Sequence, residues 1–371
     1  MACARTSLRD VARRAGVSPS TVSNVLNGRL DRMRADTSER VLRAMRELGY
    51  TPNQVARQLR TGQVSTIGLI VPSVANPFWG LVARGVEQVA LERDYHVLLC
   101  NSERDPAREA QFAEILLNSG MRGLIFGSSS LSLDHLAKAG ARGLRVVTFD
   151  RSLADAGPFV AGSVEIDNVL GARLAVSHLL GLGHRRIGLL SGPIRTISRR
   201  KRLAGYRQAL ADAGVQPSAD LVWEGPGLTT YGDAEGAELG RIGAHHLLSV
   251  PARARPTALL TINDMYAIGA CAGARDLGLR VPQDISVIGF DDLPVFAEVV
   301  TPPLTTVRQP VREMMRTATA QLLARLEGET DGSAPEHAVV TPKLVIRSST
   351  SRPSMPNDDR AGARGADQPD P

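Results

Sequence analysis

From Ser18 to Asn27 the chain reads SPSTVSNVLN, a run of small hydroxyl and amide side chains interleaved with aliphatic ones. If Val22, Val25 and Leu26 face inward on a helix, Ser20, Thr21, Ser23 and Asn24 share its open face. Short polar groups on an exposed helix can approach phosphates and base edges closely, and asparagine can pair with adenine through two hydrogen bonds. Ser18 has the type and place of an N-cap, and Pro19 sits at the first helical position, where its missing N–H would be unpaired anyway. Upstream, Leu8, Val11, Ala12 and Ala15 recur at helical spacing, and Gly16 permits a tight turn. Two short helices joined in this way, the second with a polar open face, are suited to placing a helix in the major groove of duplex DNA.

The charge distribution points the same way. Residues 1–62 hold twelve Arg, no Lys and five Asp or Glu, a net +7, whereas the whole chain is +6, so residues 63–371 sum to −1. A basic head on a near-neutral body is the pattern of a phosphate-binding module. With 371 residues, 43% of them hydrophobic and 22% charged, the chain has the size and composition of a soluble protein of two or three domains. It contains no apolar run long enough for a bilayer and opens with no secretory h-region. Cys3, Cys100 and Cys271 lie far apart and form no CxxC pair. A cytoplasmic protein with reduced cysteines is expected.

The elements that must carry these residues follow from the pattern. A third helix is expected over 37–48, with Asp36 and Glu39 at capping-box spacing and Gly49 as its stop. NQVARQLRTG (53–62) is a further short helical piece, too short to hold itself together without a packing partner. From Ser65 onward, apolar runs at 66–72, 96–102, 123–127, 144–150, 186–192, 221–225, 258–263 and 285–292 read as buried parallel strands separated by amphipathic helices. That is too many for one comfortable sheet, so two lobes are expected. Ligands of such folds bind beyond the carboxyl ends of the strands. This makes Ser73, Asn76, Asp150, Arg151, Ser191, Asn263, Asp264, Asp291 and Asp292 candidates. The tail from Ser351 is expected to be disordered.

Read together, SLRDVARRAGVSPSTVSNVLNG, ELGYTPNQVARQLRTG, NPFWG (76–80), LGHRRIGLLSG (182–192), RLAGY (202–206), RPTALLTINDMYAIGA (255–270), DISVIGFDD (284–292), PPLTTV (302–307) and LVIRSST (344–350) resemble, in order, the landmarks of the LacI/GalR family of bacterial transcriptional regulators. The resemblance implies an α/β protein with an all-α helix-turn-helix head (1–50), a hinge helix (51–62) and a two-lobed, doubly wound parallel core similar to periplasmic binding proteins (63–350). It assigns 63–162 with 293–323 to one lobe and 163–292 with 324–350 to the other, leaving 351–371 as the tail. It implies a homodimer on a double-stranded DNA operator, with no membrane partner, no cofactor and no metal. Pro19, Ser20 and Asn24 would face base edges, while Ser18, Thr21, Ser23 and Asn27 would hold phosphates. In the hinge, Asn53 would cap the helix, Val55 and Ala56 would pack two hinge helices together, and Leu59 would wedge into the minor groove. Arg202, Asn263 and Asp291 match the family's contacts to a small-molecule effector, a sugar or related metabolite rather than a nucleobase, with Phe78, Asp150 and Arg151 added from the other lobe. The loop 224–232 has Gly and Pro where some sugar-binding members carry a stacking aromatic. Asn24 also departs from the Arg or His of many members, so the operator is expected to differ from the usual half-site.

Two other classes compete. A solute-binding protein would share the core but lack residues 1–62. An α/β enzyme would need a reactive motif, and the sequence has no GxxxxGK[ST], GxSxG or HExxH, and no GxGxxG after the first strand. His245-His246 has no spaced partner and reads as a solvated pair, and Asp291-Asp292 would point to opposite faces of a strand.

Overall fold

The computed structural model describes residues 6–26, 33–50, 65–151, 153, 157–225, 235–329 and 334–354. It divides into two compact units, 1–64 and 65–371.

The head contains α1 (Leu8–Ala15), α2 (Pro19–Leu26) and α3 (Ala35–Glu47). Val11, Ala12, Ala15, Val22, Val41 and Ala44 are its buried core, with Leu8, Val25, Leu26 and Met45 packed at the margin. α1 opens on a capping box: the Ser7 hydroxyl accepts from the Asp10 N–H, and the Asp10 carboxylate accepts from the Ser7 N–H. α1 ends at Gly16, whose φ of 65° lets the chain turn into α2. The start of α3 differs from expectation. It begins at Ala35, after an extended Arg34 that makes no side-chain cap bond. Asp36 therefore lies inside the first turn, where it complements the helix dipole and faces Arg40 at 3.6 Å rather than capping.

The second unit has two six-stranded sheets. The first contains β1 (Thr66–Val71), β2 (His96–Asn101), β3 (Gly123–Phe126), β4 (Arg145–Phe149) and β5 (Val160–Ile166), with β11 (Glu336–Val340) added late in the chain; its order is β11-β5-β4-β3-β1-β2 and all pairs are parallel. The second contains β6 (Ile187–Leu190), β7 (Val222–Trp223), β8 (Ala258–Thr261), β9 (Ser286–Asp291), β10 (Thr305–Arg308) and β12 (Lys343–Val345), in the order β12-β10-β9-β8-β6-β7, with only β12 antiparallel. Inner strands β3, β6, β8 and β9 are buried at every position, as expected for strands covered on both faces, whereas β2 is an exposed edge.

Helices cover these sheets: α4 (Pro77–Leu91), α5 (Pro106–Asn118) and α6 (Ala137–Ala141) belong to the first lobe, and α7 (Asn168–Gly181), α8 (Ile197–Asp212), α9 (Gly236–Leu248), α10 (Asp264–Asp276) and α11 (Pro294–Ala297) to the second. α12 (Val311–Leu326) returns to pack on α4 and on β3, β4 and β5.

The strand pairing corrects the expected lobe boundaries. The chain leaves the first sheet after Ile166, not at 162, because β5 completes that sheet. It returns only after Arg308, since β10 pairs with β9, and it leaves again between Val340 and Lys343, since β11 pairs with β5 and β12 with β10. The expected tail is also shortened. Ser351 is bonded within the second lobe: its N–H donates to Ser286 Oγ, its Oγ donates to the Pro282 carbonyl, and its own carbonyl lies 2.8 Å from His184 Nε2 and 3.2 Å from Ser286 Oγ. Residues 355–371 lie outside the described residues.

Candidate functional site

In each sheet the strand order reverses direction beside the first strand of its lobe, between β1 and β3 and between β6 and β8. The carboxyl ends at these switch points are where ligands of this architecture bind. Between them lies a cavity of about 70 Å3. The first lobe contributes Asn76, Phe78, Trp79, Arg104, Ser129 and Asp150, and the second contributes Thr196, Ser198, Arg199, Arg202, Asn263 and Asp291. Gln309, Met314 and Met315 line it from the returning segment.

Five of the six expected effector residues therefore meet. Arg202 projects from α8, 8% exposed, with its guanidinium carbon 3.5 Å from the centre of the Phe290 ring. Its Nε donates to Asn168 Oδ1 at 2.8 Å and its Nη1 to the Ile262 carbonyl. Asp291 ends β9 with φ at 124° and accepts from Gln309 Nε2 at 2.6 Å. Burial pushes its carboxyl up to about 7 against the opposing pull of Arg202 and Gln309. Asp150, at φ 57°, accepts from Asn168 Nδ2 at 3.0 Å. Burial raises its carboxyl as well, with Arg202 opposing. Asn263 caps α10 by accepting from the Tyr266 N–H at 2.9 Å, which leaves its amide NH2 as the donor group. Phe78 stands edge-on to Trp79, with ring centres 5.1 Å apart, and forms part of the apolar wall.

Arg151 is the exception. Asp150 and Arg151 are neighbours at the end of β4, and only the first turns into the cavity. Arg151 donates to the Ser130 carbonyl at 2.6 Å and lines a separate open groove of about 740 Å3 with Asp134, Arg145 and Arg200. Of the strand-end candidates, Asp264 is buried behind the site, bonded to the Thr306 hydroxyl and the Leu293 N–H. Asp292 pairs with Arg308 and Arg347. Ser73 accepts from the Ala75 N–H, and Ser191 is buried outside the cavity.

Arg104, Ser129, Arg199 and Gln309 were not among the expected residues. Arg104 lies three residues beyond β2 and Arg199 one helical turn before Arg202, so a strand-end position marks the first and helical spacing the second. Ser129 also ties the lobes together: its carbonyl accepts the Ile197 N–H at 3.0 Å and its Oγ the Ser198 N–H at 3.1 Å, both at the start of α8. Lys201 of α8 pairs with Glu165 of β5 across the same boundary.

In the head, Ser18 accepts from the Thr21 N–H at 3.1 Å, the contact an N-cap makes, and its Oγ lies 2.7 Å from Ser20 Oγ and 2.9 Å from Thr21 Oγ1. Ser18, Pro19, Ser20 and Asn24 are exposed; Thr21 and Ser23 are half-buried. Val22 is fully buried on the opposite side. Asn27, Asn53, Val55, Ala56 and Leu59, and the loop 226–234, lie outside the described residues. His245 contacts Asp276 at 3.1 Å. Among the described residues, no helix is long and apolar enough to cross a membrane.

Residues 7–53 match the lacI family of bacterial regulatory proteins, and residues 176–350 match the periplasmic binding protein-like domain. The HTH-type transcriptional regulator DegA of Bacillus subtilis is 34% identical over 347 residues, 94% of this chain and 98% of DegA. The chain belongs to the LacI family. The ribose operon repressor of Escherichia coli K12 is 36% identical over 346 residues, covering 92% of this chain and 99% of the repressor. The lac repressor dimer bound to operator and the anti-inducer ONPF superposes with a TM-score of 0.80 at 30% identity, covering 94% of this chain and 99% of that one. This LacI-family protein is a DNA-binding transcriptional regulator with a periplasmic-binding-protein-like effector domain, and not an enzyme.

Proposed function

We propose that this regulator acts in the cytoplasm as a homodimeric repressor of a near-palindromic operator, controlled by a sugar or related metabolite in the interlobe cavity. The observation that carries the effector assignment is the meeting of Arg202, Asn263 and Asp291 from one lobe with Phe78 and Asp150 from the other. Backbone strain adds support. Non-glycine residues with positive φ at Glu103, Arg104, Asp150, Asp291 and Asp292 gather at the strand ends that face the cavity. Such conformations cost about 1–3 kcal/mol each and persist where the surroundings enforce them, often at ligand sites.

The size of the cavity gives the coupling. Pockets that hold small-molecule ligands run to about 300–1,000 Å3, against about 70 Å3 here. A sugar enters only if the lobes part, which breaks the Ser129 bonds to α8. Three chain crossings near 166, 308 and 341 are the hinges for that motion. On the DNA side, Pro19, Ser20 and Asn24 read bases while Ser18, Thr21 and Ser23 hold phosphates. Val74, Leu98 and Leu99 on the first lobe and Val295 and Val299 on the second are exposed aliphatic residues that a dimer would cover.

The test is operator binding to the protein's own upstream DNA by gel shift, after a thermal-shift screen of sugars, sugar phosphates, nucleosides and purines. Arg202→Ala and Asp291→Ala are expected to bind operator yet ignore the ligand that moves the wild type. If both variants respond at the wild-type ligand concentration, the effector site lies elsewhere.

A further inference from the structure

α8 carries two arginines in its first two turns, on its buried face. Arg199 and Arg202 are three residues apart, 6% and 8% exposed, and both line the interlobe cavity. The arrangement is unfavourable in itself. Spacing of i,i+3 brings like charges together, and the amino end of a helix already carries the positive end of its dipole. The repulsion registers on Arg202, which burial and then Arg199 draw below its ordinary value while Asp291, Asp150 and Asp264 oppose.

Arg104 brings a third guanidinium to the same cavity from the opposite lobe, on two successive residues held at φ 55° and 56°. The lining carboxylates are Asp150 and Asp291, and burial drives both toward the protonated form. Gly192, at φ 65°, keeps space for this arrangement: a Cβ there would stand 3.3 Å from Arg199 Nη1 and 2.5 Å from the Tyr266 hydroxyl.

We propose that the effector is an anionic sugar derivative, a hydroxyl-bearing body with a phosphate or carboxylate group, and that Arg199 and Arg202 together receive the anionic group. The inference rests on the reading that the interlobe cavity is the effector site. A negative charge placed there adds an attractive contact to each guanidinium, beside those Arg202 already has with Asp291 and Asp150 and the bond Arg199 makes to the Pro193 carbonyl. The planar fork of arginine matches phosphate and carboxylate oxygens two at a time. Arg202 uses Nε and one Nη1 hydrogen on Asn168 and Ile262, so three of its five N–H donors remain for a ligand. Thr196, Ser198, Ser129 and Asn263 supply the neutral groups that sugar hydroxyls need.

The experiment is calorimetric titration of the full-length protein with matched compounds: ribose against ribose 5-phosphate, glucose against glucose 6-phosphate and gluconate, and inorganic phosphate alone. An anionic member is expected to bind at least about tenfold tighter than its neutral counterpart, the size of one charge-assisted hydrogen bond. Arg199→Gln should erase that ratio and Arg199→Lys should recover part of it. The phosphate and carboxylate arms identify which anion is taken. The inference is overturned if the neutral sugar binds as tightly as its anionic counterpart, or if Arg199→Gln leaves the ratio unchanged. Neutral-sugar binding that Arg202→Gln abolishes would keep the cavity as the effector site while removing the anion. No binding by any sugar, in protein that still holds its operator, would overturn both readings. Inorganic phosphate binding as tightly as the sugar phosphates would overturn the hydroxyl-bearing body.

Discussion

Asp291 concentrates the electrostatics of the cavity in one side chain. It is buried, hydrogen-bonded to Gln309 and pushed up to about 7. A carboxyl raised in the folded state holds its proton more tightly there than in the unfolded chain. Its contribution to stability is therefore full below the ordinary carboxylate range and is lost as pH rises through about 7. Asp291→Asn keeps an acceptor for Gln309 and cannot ionise. The melting temperature of Asp291→Asn relative to wild type should rise between pH 4 and pH 8; a constant difference would mean that Asp291 titrates normally. In the head, Asn24 is exposed on α2. Asn24→Ala should relax base preference at one operator position at a cost of about 1–3 kcal/mol, read from binding to an operator library. Residue types at strand ends were enough to find Asp150, Asn263 and Asp291, whereas Phe78 and Arg202 lie on helices and were marked only by the family resemblance. Residue types could not separate Asp150 from Arg151, because which of two neighbours turns inward depends on the backbone, here the left-handed Asp150.

At the scale of elements, legibility followed the continuity of the aliphatic run. Strands covered on both faces left continuous aliphatic runs, as TIGLIV and ALLT do, and were found within a residue or two. β5 reads VAGSVEI, with glycine and serine at its centre, and β11 reads EHAVV along an exposed edge, so neither stands out as a run. β10 reads TTVR and β12 KLV, short pieces in which threonine, arginine and lysine interrupt any aliphatic run. Missing these four strands is what misplaced the lobe crossings, since each crossing lies next to one of them. The same limit applies to caps. Asp36 and Glu39 have capping-box spacing, yet the box forms at Ser7 and Asp10: an extended residue precedes both helices, but only Ser7 carries a short side-chain oxygen that accepts from the first turn, where Arg34 has none. Ser7→Ala should therefore cost about 1 kcal/mol locally. Amide exchange in α1 should speed up several-fold while α8 is unaffected; equal protection in α1 would show that tertiary packing alone holds the helix.

For the whole molecule, charge and symmetry act together. The net +7 of residues 1–62 is set against −1 for the remainder, so DNA affinity concentrates in the head. One head offers a few phosphate contacts, and two heads on a palindrome double them. Each contact adds about 0.9 to the slope of log affinity against log salt. Pairing needs a surface, and β2 supplies one: it is an edge strand with Leu98 43% and Leu99 42% exposed, next to Val74 at 57%. An exposed apolar edge left uncovered invites uncontrolled association, so a partner copy is its natural cover. Leu98→Asp places a charge in that contact. Sedimentation should then report monomer at concentrations where the wild type is dimeric. The salt slope for the full operator should fall to about half, because each monomer engages one half-site. A variant that stays dimeric would place the interface elsewhere, and a monomer that keeps the full slope would mean that a single head makes all the phosphate contacts.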